Sequence, residues 1–326
     1  MTRFVSFASA ILVSGLALSA RAQTGDSRLN ASTSDRFAVT RPAFQTGVEL
    51  VALTVTVTDT TNQYVRNLAL DDFTVFEDGV AQPVSFFGVS DVPIDLALLI
   101  DASASMRPQM AMVRRAASGL LRTLKRGDRA ALVEFRDQVA LGQPMTDDLP
   151  RVIAALDSIS AHGGTSLYNA LYVMLRDFQK AASDRSTVRR RAIVVLSDGA
   201  DTGSLISFDD VLDLARRAGV TVYTVAMQSR VPPPGGLLPR RYLSQADYAM
   251  RALAEETGAR AFFPTTGLEV RDVYDTIASE LASQYAIGYT SRNAQQNGAW
   301  RHVLVRVASR PGMRSRTRTG YFAPGV

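Results

Sequence analysis

The spacing of apolar and polar positions changes character twice along the chain. Val48, Leu50, Ala52, Thr54 and Thr56 alternate with Glu49, Val51, Leu53, Val55 and Val57, a β-branched run of strand type. Asp59 to Asn62 then reads as a turn. Phe73–Phe76, the turn Glu77-Asp-Gly79 and Val84–Phe87 predict a hairpin, because Asp-Gly between strand-like runs favours a tight turn. A different regime begins at Ile94-Asp-Leu-Ala-Leu-Leu-Ile100, a nearly continuous apolar run of the kind found in parallel strands buried on both faces. Over 93–284 the pattern delimits five strands and six helices. The strands it delimits lie at 94–100, 130–135, 192–196, 220–226 and 259–263, and the helices at 106–124, 148–159, 166–181, 207–218, 245–257 and 267–283. From Tyr285 the alternation returns, at Tyr285–Tyr289, His302–Val307 and Arg314–Tyr321.

Strands and helices in alternation predict an α/β fold, a doubly wound and mostly parallel sheet with helices on both faces. The two β flanks, 46–92 and 285–326, are each too small to bury a core alone. With no cysteine to staple them, they are expected to pair into one small β-sandwich, with Val55 and Val57 sharing a core with Val303 and Val305. Glu77, Asp78, Asp71 and Asp72 read as turn and surface residues, and Trp300 and His302 as strand residues that pack. The loop around 228–243, with Pro232-Pro-Pro-Gly-Gly236, fits a solvated linker and a partner-specific insertion equally well.

The amino terminus adds a destination. Arg3, an apolar run from Phe4 to about Ala20, and Ala20-Arg21-Ala22 form a secretory signal peptide over 1–22, followed by a polar flexible leader over 23–45. Without cysteine there is no lipobox, and no second segment approaches the roughly 20 apolar residues of a membrane span. The expected product is periplasmic or secreted, with no stable membrane insertion once the signal is cleaved. Arg3 and Arg21 account for two of the +5 formal charges. The densest basic run is Arg189-Arg190-Arg191, which is no basic face, so no nucleic-acid partner is expected. Zero cysteines and only two histidines, His162 and His302, exclude thiol nucleophiles and Cys-ligated metals and argue against a histidine-built metal enzyme.

Ligands of open parallel sheets bind beyond the carboxyl ends of the strands. Three oxygen-rich segments fall at such ends or on neighbouring loops: Asp101-Ala-Ser103-Ala-Ser105, Gly163-Gly164-Thr165-Ser166 and Ser197-Asp198-Gly199-Ala-Asp201. Asp101 and Asp198 with Ser103, Ser105 and Thr165 make a set of hard oxygens with few carboxylates, which suits Mg²⁺. The D-x-S-x-S spacing lets one turn aim three side chains at one point, and the glycines let the Thr165 backbone approach closely. The plainer reading is that Asp101 and the serines cap the helix beginning near Met106. Ser166 reads as a cap, Asp201 as a solvated turn residue and His162 as an ordinary loop histidine.

This ordered trio resembles the metal-ion-dependent adhesion site of the von Willebrand factor A family: D-x-S-x-S, then a threonine, then an aspartate in an [ST]-D-G turn, over about residues 93–284. The resemblance implies that Asp101, Ser103, Ser105 and Thr165 bind Mg²⁺ directly or nearly so, and Mn²⁺ is expected to serve as well. It implies that Asp198 acts through water and that an acidic residue of a protein partner completes the shell. The flanks, through Leu70-Asp-Asp-Phe-Thr-Val-Phe-Glu-Asp-Gly79 and Arg318-Thr-Gly-Tyr-Phe322, are similar to those of an acidobacterial-type group of exported proteins with this domain. Two other classes remain. A Mg²⁺-dependent hydrolase lacks support, since there is no G-x-S-x-G elbow, no triad histidine and no GxxxxGK[ST] loop. The other is a structural scaffold with a vestigial site.

Overall fold

The computed structural model describes residues 50–89, 92–182, 188–198, 201–227 and 244–325. The signal peptide, the leader, Val48, Glu49, Gly199 and the loop 228–243 lie outside the described residues. The sandwich strands are β1 (Leu50–Thr58), β2 (Phe73–Glu77), β3 (Val80–Gln82) and β4 (Val84–Val89) from the first flank. The second flank supplies β11 (Tyr285–Thr290), β12 (Trp300–Val307), β13 (Arg314–Arg316) and β14 (Gly320–Phe322). Between them lie β5 (Ile94–Asp101), β6 (Arg129–Phe135), β7 (Val139–Thr146), β8 (Arg190–Ser197), β9 (Thr221–Ala226) and β10 (Ala261–Phe262). Six helices alternate with these: α1 (Met110–Arg122), α2 (Leu149–Ser158), α3 (Leu167–Ala182), α4 (Phe208–Ala218), α5 (Gln245–Glu256) and α6 (Gly267–Leu281).

The central sheet has the order β10-β9-β8-β5-β6-β7, parallel except for the edge strand β7. Every residue of β5 is buried, as its unbroken apolar run requires of a strand covered on both faces. Ile94, Leu96, Leu98 and Ile100 face one core with α1, α2 and α6, and Ala97 and Leu99 face another with α3, α4 and α5. Strand β7 is missed by the sequence pattern. Its exposed Leu141 and Gly142 and its Pro144 break the alternation, which an edge strand tolerates.

The flanks form two four-stranded sheets, β13-β1-β11-β4 and β14-β12-β2-β3. Val55, Val57, Val303 and Val305 are all buried in the core between them, with Phe73, Tyr285, Ile287 and Tyr289. Two details differ from the pattern. Asp78 (φ 47°) and Gly79 (φ 83°) do make the tight turn, but it joins β2 to β3, and Pro83 then sends Val84–Val89 into the other sheet. Arg314–Tyr321 is two short strands in different sheets, because the chain between them crosses Gly258. A β-carbon there would lie 2.4 Å from the Thr317 carbonyl carbon.

Glu77 is not a surface residue. It is 2% exposed and its carboxylate accepts hydrogen bonds from Tyr289 (2.8 Å), Tyr321 (2.8 Å), Ser291 (2.5 Å) and Arg301 (3.3 Å). Trp300 packs edge-on against Phe322 and against His302, which is otherwise exposed. The arginine run is used internally. Arg189 donates to Asp95 at 2.7 Å, Arg191 to Ala181 O, and the buried Arg190 to Val92 O (2.9 Å) and Leu281 O (2.6 Å). Among the described residues no helix is long and apolar enough to cross a membrane.

Deleting residues 285–326 removes the partner of β1 and half of the sandwich core, so limited proteolysis should cleave 46–92 in the truncated chain while the full chain stays protected there. Substituting Glu77→Gln should cost about 3 kcal/mol near neutral pH, since a buried hydrogen-bonded charge pair is broken. Burial raises the Glu77 carboxyl, but the bonds from Ser291, Tyr321 and Tyr289 and the charge of Arg301 outweigh it and hold the group below its usual value of 4.5. Its contribution is therefore complete above that value and is lost as pH falls through the lower folded value. Urea unfolding should show wild type and variant converging in acid.

Candidate metal centre

The strand order reverses about β5, which has β6 on one side and β8 on the other. The helices that come after β5 and β8, α1 and α4, pack on opposite faces. Their leading loops therefore diverge, opening a crevice at the carboxyl ends of the two strands. Asp101 is the last residue of β5, Ser197 is the last of β8, and Asp198 follows it. The third segment, 163–165, is drawn in by backbone bonds: Ala104 N–H donates to Gly163 O (3.0 Å) and His162 N–H to Ala102 O (2.8 Å). The loop after β5 and the 163–165 segment are thereby tied directly, and Ser197 ties the end of β8 to Asp101.

Asp101 is fully buried. One carboxylate oxygen accepts the Ser103 N–H at 2.8 Å and the other the Ser197 hydroxyl at 2.6 Å. Ser103 is buried, Ser105 is exposed, and their hydroxyl oxygens are 3.0 Å apart. Thr165 is 4% exposed and Asp198 is half-buried. Burial pushes the Asp101 carboxyl above its usual value; hydrogen bonds from Ser103 and Ser197 oppose this, and repulsion from Asp198 adds to it. The ionised carboxylate is left under-compensated, the electrostatic condition that a bound cation relieves.

The capping reading of these residues does not hold. Helix α1 begins at Met110, its N-cap is Gln109, and neither that cap nor Ser103, which precedes a short 3-10 turn, makes a side-chain capping bond. Nor does Ser166 cap α3. Its hydroxyl is buried with no hydrogen-bond partner, and Asp201 takes over, accepting the Leu167 N–H at 2.9 Å. Asp201 is thus a capping residue from a distant loop rather than a solvated turn. His162 is exposed, an ordinary loop histidine.

Sequence reasoning also misses the groups that brace the loops. Asp137, on the β6–β7 turn, accepts the Gly164 N–H at 2.7 Å. Its carboxylate occupies the space where a Gly163 β-carbon would come within 2.1 Å, and Gly163 has φ 77°. Those glycines are therefore required by Asp137. Thr202 and Thr165 bracket one another, with Thr165 N–H to Thr202 Oγ1 at 3.0 Å and Thr202 N–H to Thr165 O at 2.9 Å. The only local hint of this is the turn-like Asp201-Thr202-Gly203, and such turns are common.

Among the described residues no group of three or more His, Cys, Asp or Glu side chains is placed to hold a metal. The donors here are instead two carboxylates and three hydroxyls. That set suits a small hard cation that retains some water, and it is poor in the nitrogen and sulfur that softer metals prefer.

The von Willebrand factor type A domain model matches residues 95–276. Matrilin-4 of Mus musculus is 29% identical over 147 residues, 42% of this chain and 23% of matrilin-4, so the chain spans about a quarter of that relative. Among solved structures, a von Willebrand factor type A protein from Catenulispora acidiphila aligns at 12% identity over 86% of this chain and 76% of its own, with a TM-score of 0.48. Proximal thread matrix protein 1 from the mussel byssus, solved with a zinc-occupied MIDAS motif, aligns at 15% identity over 64% and 50%, with a TM-score of 0.49. The family match runs from the second residue of β5 to within α6, takes in all three loops of the crevice and covers more than half of the sequence: the chain belongs to the von Willebrand factor type A domain family.

Proposed function

We propose that this chain is an exported, non-enzymatic binding module that engages a protein partner through a Mg²⁺ site, Mn²⁺ serving in its place. The observation that carries the reading is the fully buried Asp101 carboxylate, which is held by hydroxyl and amide donors and faces a second carboxylate. In this reading Asp101, Ser103 and Ser105 hold the cation at rest, Thr165 contributes most once a partner is engaged, and Asp198 acts through water. The bound ion would supply a positive charge on which a partner's carboxylate completes the shell.

The residues around the site then do three things. Ser197 and the Ser103 amide fix the Asp101 carboxylate so that it does not rotate away. Asp137 and Thr202 hold the Thr165 loop in place before any partner arrives, which lowers the ordering cost of binding. The apolar walls of β5 and β8 keep the charges in a low-dielectric setting where their attraction for a cation is strong. Export is supported by the amino-terminal pattern of Arg3, an apolar run and Ala20-Arg21-Ala22.

Isothermal calorimetry on the mature chain should find one Mg²⁺ or Mn²⁺ site. Asp101→Ala should weaken it by at least about a hundredfold while circular dichroism is unchanged. Equal affinities in wild type and variant would refute the assignment. Thr165→Ala is expected to leave resting metal affinity within a few-fold and to weaken partner capture at least about tenfold at saturating Mg²⁺. Crosslinking and mass spectrometry from the native envelope, with Mg²⁺ or with EDTA, supplies that partner, and unchanged capture by the variant would remove Thr165 from the binding face.

A further inference from the structure

The loop that braces Thr165 also presents the most exposed large apolar side chain among the described residues. Leu205 is 94% exposed. Its backbone is pinned on both sides. Asp201 accepts bonds from Leu167 N–H (2.9 Å) and Ser204 Oγ (2.8 Å). Thr202 and Gly203 donate to Thr165 O at 2.9 Å each, and the Leu205 and Ile206 amides both donate to Asn169 Oδ1 (3.2 and 3.3 Å). The next residues turn inward, Ile206 and Phe208 packing on the core shared with α3 and α4. Leu205 is therefore held outward by an ordered loop, and its exposure does not come from slack. A backbone fixed in this way adds little loop-ordering cost when a partner covers Leu205.

On another of the three converging loops, Arg107 is exposed two residues beyond Ser105, with its guanidinium anchored on Ala161 O at 3.2 and 3.3 Å. The rim of the crevice thus carries one fixed apolar side chain and one fixed cation. We propose that this face selects an acidic peptide segment bearing an apolar side chain two or three positions from the acid, with Leu205 as the specificity-determining contact. The inference rests on the reading that the crevice takes a partner's carboxylate. The spacing is set by reach. Gly203 N–H lies 2.9 Å from Thr165 O, and Leu205, two residues further on, is at most about 11 Å from the Thr165 backbone; an extended ligand covers about 7–10 Å in two or three residues. Arg107 favours the net negative charge of such a segment.

The test uses surface plasmon resonance on immobilised short extended peptides in three forms: a central Glu with Leu two or three positions away, the same with Ser in place of Leu, and the first with Gln in place of Glu. Mature wild type, Leu205→Ser and Asp101→Ala are passed over them in Mg²⁺ and in EDTA. Wild type should prefer the Leu peptide over the Ser peptide at least about tenfold, the effect of burying one leucine, and should need both Glu and Mg²⁺. Leu205→Ser should lose that preference to within about twofold yet keep the need for Glu and Mg²⁺, with an unchanged melting temperature because the side chain is exposed. A wild type without preference, or a variant that retains it, overturns this inference and leaves the metal reading standing. Binding that ignores Mg²⁺ and Asp101→Ala, or no capture of any peptide, overturns both.

Discussion

The α/β sheet enters and leaves the sandwich at one point, and the architecture depends on it. Val89, the last residue of β4, pairs with Tyr285, the first of β11, so the two crossings between the layers run side by side. Arg190, itself at the start of β8, ties both: its guanidinium donates to Val92 O on the way in and to Leu281 O and Gln284 Oε1 on the way out. Some two hundred residues can be placed between β4 and β11 without opening the sandwich, because the ends of the inserted segment already meet. Glu280 adds a second tie. Fully buried near the end of α6, it accepts bonds from Thr56 and Tyr64 of the first flank, Arg316 of the second and Tyr223 of β9.

The same connectivity sets the site. With β6 and β8 on opposite sides of β5, and α1 and α4 on opposite faces, the loops after β5 and β8 part at the carboxyl end of β5. Asp101 therefore ends a fully buried strand and meets the crevice without reaching bulk water. The loops around it are tied mostly to each other, through Asp137, Thr202, Asp201 and Asn169. The described parts of these loops are consequently held to one another by hydrogen bonds at this end of the sheet.

How much of this is legible in the sequence depends on whether the determinant is local. The run Ile94–Ile100 announces a strand covered on both faces, and the oxygen-rich segments announce the loops at the strand ends, since periodicity and turn chemistry are local signals. The pairing of Val84–Val89 is not legible. Asp78-Gly79 fixes a turn, but which strand returns from it is decided by the proline four residues later. Glu77 reads as a turn residue because its partners, Tyr289, Ser291, Arg301 and Tyr321, come from more than two hundred positions away. Asp201 reads as a solvated turn for a similar reason: the amide it caps belongs to a helix 34 residues earlier.

The buried acids, compared with one another, separate structure from function. Glu77 is bound to Arg301, Asp95 to Arg129 and Arg189, and Glu280 to Arg316. Asp128 accepts the amides of Ile94 and Lys125, and Asp247 takes part in the capping box of α5. Each of these has a cation or a helix or strand end to complement its charge, as burial demands. Asp101, as buried as any of them, has two hydroxyl and amide donors and a like-charged neighbour. On the proposed reading this carboxylate, at the end of the central strand and beside Asp198, is the charge that an incoming cation meets.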